Sequence, residues 1–149
     1  MRHSIVFVTG NQGKLGTARD HMGPLGIGVE QADLKIDEIQ AIRVEDVARR
    51  KAQEAFQVLG RPLIVEDSGL YFNELNGYPG AMIKHLTAAI GPRGLAHVAG
   101  LTTTRRCRFD SCLVYVDEHG QDRVFSSGGQ FYTVAAEPVD GSLEGAWSP

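Results

Sequence analysis

No apolar run in this 149-residue sequence reaches the ~20 residues that a membrane-spanning helix needs. After Met1-Arg2-His3 only the five residues Ser4 to Val8 lean apolar, too short a core for a secretory signal. An excess of basic charge is lacking too: 15 Lys and Arg stand against 18 Asp and Glu, for a net charge of −3. The bulk field therefore draws in neither nucleic acid nor an anionic membrane, and a polyanionic ligand would need a local site. Cysteine is scarce. Cys107 and Cys112 lie five apart in an expected strand, so they point to opposite faces and cannot bridge within it. They read as reduced thiols of a cytoplasmic protein. Neither they nor His3, His21, His85, His97 and His119 show zinc spacing. There is no repeat and no low-complexity tract.

What is present suits one domain with a real core: 42% of residues are hydrophobic. Ser4-Ile5-Val6-Phe7-Val8 reads as a buried strand bounded by Thr9-Gly10-Asn11. A helix follows from about Lys14 to His21, stopped by Gly23-Pro24. Gly28 to Leu34 is a weaker strand. From Val44 to Leu59 the residues Val44, Val47, Ala48, Ala52, Ala55, Phe56 and Leu59 fall on one helical stripe, and Gly60 closes it. Leu63-Ile64-Val65 is a third strand, ending in Glu66-Asp67-Ser68-Gly69. This alternation predicts βαβ units and a largely parallel sheet. Beyond it come a turn at Gly77-Tyr78-Pro79-Gly80 and helical stretches at Ala81–Ile90 and Arg93–Leu101, split by Gly91-Pro92. Two long strands, Arg106–Val116 and Arg123–Val134, then suggest a hairpin lobe attached to the first part. The end, Gly141 to Pro149, has a loop composition with the lone Trp147, and reads equally as a frayed tail or a functional loop.

Several of these places carry chemistry. At Thr9-Gly10-Asn11-Gln12-Gly13-Lys14 a strand gives way to a helix whose first N–H groups carry partial positive charge, a natural anion site. Asn11 adds an amide donor and Lys14 a full charge. The glycines are three apart and Leu15 follows the lysine, so this is not a Walker A loop. An ordinary strand-to-helix turn has the same local composition. Glu66 and Asp67 follow an apolar strand at the kind of position where open α/β sheets bind ligands. A carboxylate there would hold Mg²⁺ or take a proton from water, and this reading stands ahead of solvated acids capping a strand end because the first loop has the same strand-end position. Side by side in an extended chain, only one of the two faces a given site. Glu38, Lys51 and Lys84, each taken alone, read as surface charge. Together, a cationic turn, carboxylates at strand ends and spare lysines are the parts of metal-assisted phosphate chemistry or of a plain nucleotide-binding module.

The order Thr9-Gly10-Asn11-Gln12-Gly13-Lys14-Leu15, Glu38-Ile39-Gln40, Val65-Glu66-Asp67-Ser68-Gly69-Leu70 and Asn76-Gly77-Tyr78-Pro79-Gly80 resembles the signature of the inosine triphosphate pyrophosphatase (Ham1-like) family. The likeness runs over roughly residues 4 to 135. It includes the Phe72-Asn73 and Ile83-Lys84 neighbourhoods of eukaryotic and archaeal members. It implies an ITPase-like (Maf/Ham1) α/β fold, elongated and two-lobed, with a central twisted mixed sheet and a cleft between the lobes. The implied activity is Mg²⁺-dependent hydrolysis of non-standard purine nucleoside triphosphates, such as ITP, XTP and dITP, to monophosphate and pyrophosphate, by a homodimer. Carried over by motif, Thr9, Gly10, Asn11, Gln12, Gly13 and Lys14 hold the triphosphate, with Lys51, Ser68 and Lys84 also at the substrate. Glu38 and Asp67 bind Mg²⁺, and Asp67 orients or deprotonates the attacking water, with Lys14 beside it in catalysis.

The chain departs from the family pattern in places. Thr17 stands where a Glu is usual three residues after the loop lysine. Aligned on Trp147 and Pro149, the base-contacting segment reads Glu144-Gly145-Ala146-Trp147-Ser148-Pro149, with Trp147 kept as the aromatic platform. Gly145 replaces the usual Phe and Ser148 the usual Asp. The sequence stops before the family's Ser-His-Arg base-recognition motif and final helix, so the expected fold lacks that C-terminal segment. The sequence thus predicts a nucleoside triphosphate pyrophosphohydrolase. Its alternatives are a nucleotide-binding module without turnover and another nucleotide hydrolysis on the same scaffold.

Overall fold

A computed structural model describes residues 3–137 and 147–148. The elements, in order, are β1 (His3–Val8), α1 (Gln12–Met22), β2 (Ile27–Ala32), α2 (Val44–Leu59), β3 (Leu63–Tyr71), β4 (Pro79–Gly80), α3 (Ile83–Ala99), β5 (Arg106–Val116), β6 (Asp122–Val134) and β7 (Trp147–Ser148). Among the described residues the strands hydrogen-bond in the order β2-β1-β3-β5-β6-β7, with β4 against β3. β1 runs parallel to β2 and to β3, with Val6 opposite Glu30 and Leu63. This is the expected βαβαβ start. No helix among the described residues is long and apolar enough to cross a membrane.

The chain divides into two compact units. The first comprises Met1–Ile39, Glu45–Asp67 and Cys112–Phe125. Its core gathers Phe7, Leu15 and Ile64, with Ile5, Ala18, Met22, Val29, Leu113 and Tyr115 packed on them. The α2 stripe is buried at Val47, Ala48, Ala52 and Ala55, as its spacing requires. Arg49 on its polar side bridges Glu45 and Asp122. The second unit comprises Gln40–Val44, Ser68–Ser111 and Ser126–Pro149. Its core is Leu70, Phe72, Leu95, Ala99, Cys107 and Val134. The anticipated break in the α3 region is a kink at Gly91, with φ +67° beside Pro92.

Two sequence expectations are corrected. β3 does not end at Val65. It continues through Glu66, Asp67 and Ser68, which are half-buried, and regains buried residues at Gly69 to Tyr71. The acids therefore sit mid-strand. Nor is the β5–β6 hairpin a lobe of its own: residues 112–125, its tip, belong to the first unit.

The Asn76 to Gly80 motif is backbone architecture of the second unit. Phe72 N–H bonds Tyr78 O, Gly77 N–H bonds Phe72 O, and Gly80 pairs with Leu70. Gly69 and Gly80 meet back to back: a Cβ on Gly69 would lie 2.8 Å from the Gly80 carbonyl carbon. Gly80 has φ +59°, and a Cβ there would overlap the Ile42 carbonyl.

Candidate functional site

The loop after β1 is built by its own side chains. Thr9 is buried; its N–H bonds Ala32 O, and its hydroxyl accepts the Asn11 N–H at 3.0 Å. Asn11 is the N-cap of α1, with extended φ −88° and ψ 112°, and its Oδ1 accepts the Lys14 N–H at 3.0 Å. Asn11 Nδ2 remains a donor, and Gln12 and Gly13 begin the helix, where N–H groups have no intrahelical acceptor. Gly10 lies close to the exposed Asp33 carboxylate: a Cβ would fall 2.9 Å from Asp33 Oδ1, which would have to swing aside. Gln31 on β2 clasps both ends of the loop. Its Nε2 donates to Thr9 O at 2.8 Å, and its Oε1 accepts from Gln12 Nε2 at 3.3 Å. The loop's curvature is thus fixed from two sides as it leads into the N-terminus of α1.

Two lysine–carboxylate pairs stand out in the same unit. Lys14 Nζ lies 2.6 Å from Glu66 Oε2, with side chains 31% and 17% exposed. Lys51 Nζ, on α2, donates to Glu38 Oε1 at 3.0 Å, with side chains 20% and 28% exposed. Asp67 follows Glu66 in β3, and its Oδ2 is buried. Glu66, which sequence reasoning set aside in favour of Asp67, is therefore the acid that grips the loop lysine. The alternation of neighbours along a strand was the available signal. Nothing in the sequence pointed to Gln31 or Asp33.

The remaining expected substrate residues belong to the second unit. Ser68 is half-buried in β3, directly after Asp67. Lys84 is exposed in the first turn of α3. Trp147 lies in β7, opposite Val134, with Ser148 opposite Thr133. Its side chain, with Glu144, Gly145, Ala146 and Pro149, lies outside the described residues.

The Ham1 family model matches residues 5–143. The chain belongs to the Ham1 family. The dITP/XTP pyrophosphatase of Methanopyrus kandleri is 34% identical over 122 residues, 82% of this chain and 65% of that protein. The inosine triphosphate pyrophosphatase of Yarrowia lipolytica is 38% identical over 113 residues, 73% of this chain and 60% of that one. The chain thus spans between 60% and 65% of the length of these two relatives. A HAM1 protein of Coxiella burnetii has the same fold, with a TM-score of 0.77 at 20% identity over 91% of this chain and 75% of that one. Family and fold therefore agree with what the motif order implied. In the first unit Lys14 and Lys51 each face a carboxylate, as Arg49, Arg50 and Arg61 do.

Among the described residues, no three His, Cys, Asp or Glu side chains are gathered as a ready metal cage. That is compatible with Mg²⁺, which commonly takes one or two carboxylates and completes its shell with water and substrate phosphates. Glu38 and Asp67 offer hard oxygen donors of that kind.

Proposed function

We propose that this chain hydrolyses nucleoside triphosphates, of non-standard purines such as ITP, XTP and dITP, to the monophosphate and pyrophosphate. The observation that carries the reading is the anion-ready loop with Lys14, set on the same unit as a second lysine, Lys51, and the acids Glu38, Glu66 and Asp67. The names of the related pyrophosphatases support the choice of bond and base class.

In this reading the N–H groups of Gln12 and Gly13, the amide of Asn11 and the ammonium of Lys14 hold phosphate oxygens, and Lys51 neutralises more of their charge. Glu38 and Asp67 would hold Mg²⁺, which when bound withdraws charge from the phosphoryl oxygens and acidifies water. Asp67 would orient the attacking water and take its proton, and Lys14 would stabilise the charge that builds as the α–β bridge breaks. Ser68, Lys84 and Trp147 are carried over as substrate contacts on motif order. The two cysteines are free thiols, which fits a reducing cytoplasm. Homodimerisation, which the motif resemblance implies, is part of the same reading. The test is pyrophosphate release from a panel of triphosphates with Mg²⁺. Release favouring inosine or xanthosine triphosphate is expected; folded protein that releases none from any of them refutes the reading.

A further inference from the structure

Lys14 and Lys51 each already face a carboxylate, and one of those carboxylates is given no chemical role above. Glu38 is spoken for as a metal ligand; Glu66 is not. Its carboxylate sits 2.6 Å from Lys14 Nζ and is only 17% exposed. It projects from the interior of β3, next to Val65, which is fully buried, so the backbone holds it at the loop.

We propose that Glu66 is the resident counter-anion of Lys14, displaced by an incoming phosphate oxygen. It thereby sets the site's preference for metal-complexed over metal-free polyphosphate. This rests on the assignment of Lys14 to phosphate. An oxygen at 2.6 Å takes one of the three donors of the ammonium, so an incoming phosphate oxygen competes with Glu66 for the charge of Lys14. After the exchange Glu66 remains close by and repels the newcomer. The repulsion scales with the ligand's charge. A polyphosphate carrying its own divalent cation presents a reduced charge and is admitted; the bare polyanion meets the full opposition. Specificity here comes from an element placed against the wrong ligand.

The experiment is titration calorimetry with inorganic tripolyphosphate, in chelator and with Mg²⁺, on wild type, Glu66→Gln, Lys14→Ala and the double variant. In chelator, Glu66→Gln should bind about three- to tenfold tighter than wild type, the range expected for removing one partly exposed charge of a close pair. The gain should shrink with Mg²⁺; in the Lys14→Ala background the part that comes from competition for Lys14 should be lost and the part that comes from repulsion should remain. Should the Gln variant melt early, Glu66→Ala removes the same charge and gives the same reading. Unchanged or weaker binding in chelator overturns the proposal, as does a gain that Mg²⁺ leaves intact. Failure of the underlying assignment looks different: Lys14→Ala then binds with Mg²⁺ as tightly as wild type, or no form binds at all.

Discussion

Gly80→Ala separates the scaffold role of the Tyr78-Pro79-Gly80 turn from any role at the ligand. Gly80 holds φ +59°, which costs a residue with a Cβ about 1–2 kcal/mol. The new methyl would also overlap the Ile42 carbonyl oxygen and lie 2.9 Å from both Ile42 C and Cγ2. Backbone cannot yield as a side-chain tip does. The Ile42 carbonyl moreover accepts the Ala81 N–H at 2.9 Å, so moving it forfeits a hydrogen bond of about 1 kcal/mol. With about 1–2 kcal/mol for displaced backbone, the sum is about 4 kcal/mol. Gly26→Ala is the matched control: φ is +75° and nothing lies within 4 Å of its Cβ, so only the conformational cost remains, about 1–2 kcal/mol. At a urea dependence of about 2 kcal/mol per molar, Gly80→Ala lowers the unfolding midpoint by about 2 M and Gly26→Ala by less than about 1 M. Equal shifts for the two variants would refute the argument from close approach.

Asp67→Asn should abolish pyrophosphate release while leaving the urea midpoint near wild type, because it keeps the shape and removes the charge that serves metal and water; a variant retaining most of its rate rejects the role. Asn11→Ala removes the cap on the Lys14 N–H, and should cost about 1 kcal/mol of stability and weaken tripolyphosphate binding in the same protein. Burial pushes the Cys107 thiol from its ordinary 9.0 up to about 11. Its folded pKa is raised, so its contribution is complete below pH 9.0 and is lost as pH climbs towards about 11. Urea midpoints across that window should fall more for wild type than for Cys107→Ala, and parallel curves would contradict this.

Some of this architecture was legible in the sequence because single segments encode it. The stripe from Val44 to Leu59 gives α2 to the residue, since its buried face repeats with the helical period. Arg106–Val116 likewise matches β5. The apolar run of β3 stops at Val65, so the sequence pattern ends the strand there although the strand itself continues to Tyr71. Half-buried Glu66 to Ser68 carry no hydrophobic signal, yet Leu70 and Tyr71 still pair with β4. The loop at Thr9 to Lys14 was recognisable from its composition and its order with the other motifs. Its partners were not: Gln31 and Glu66 reach it from distant positions, and such pairings follow from the register of β1 with β2 and from the course of β3, not from local pattern. The division into units was hidden for the same reason, since Gln40–Val44 and Cys112–Phe125 each leave their sequence neighbours.

That interleaving constrains how the molecule can be made. The first unit draws on Met1–Ile39, Glu45–Asp67 and Cys112–Phe125, and Leu113 and Tyr115 pack on its core cluster. On the ribosome, the N-terminal sheet with its loop therefore waits for most of the polypeptide to emerge before that core can close. A nascent chain ending at Asp67 would already carry Lys14, Lys51, Glu38, Glu66 and Asp67 and still lack Leu113 and Tyr115, which pack on that unit's core. No single cut in the sequence yields this unit whole, so a minimal version must be built by joining segments, not by trimming an end.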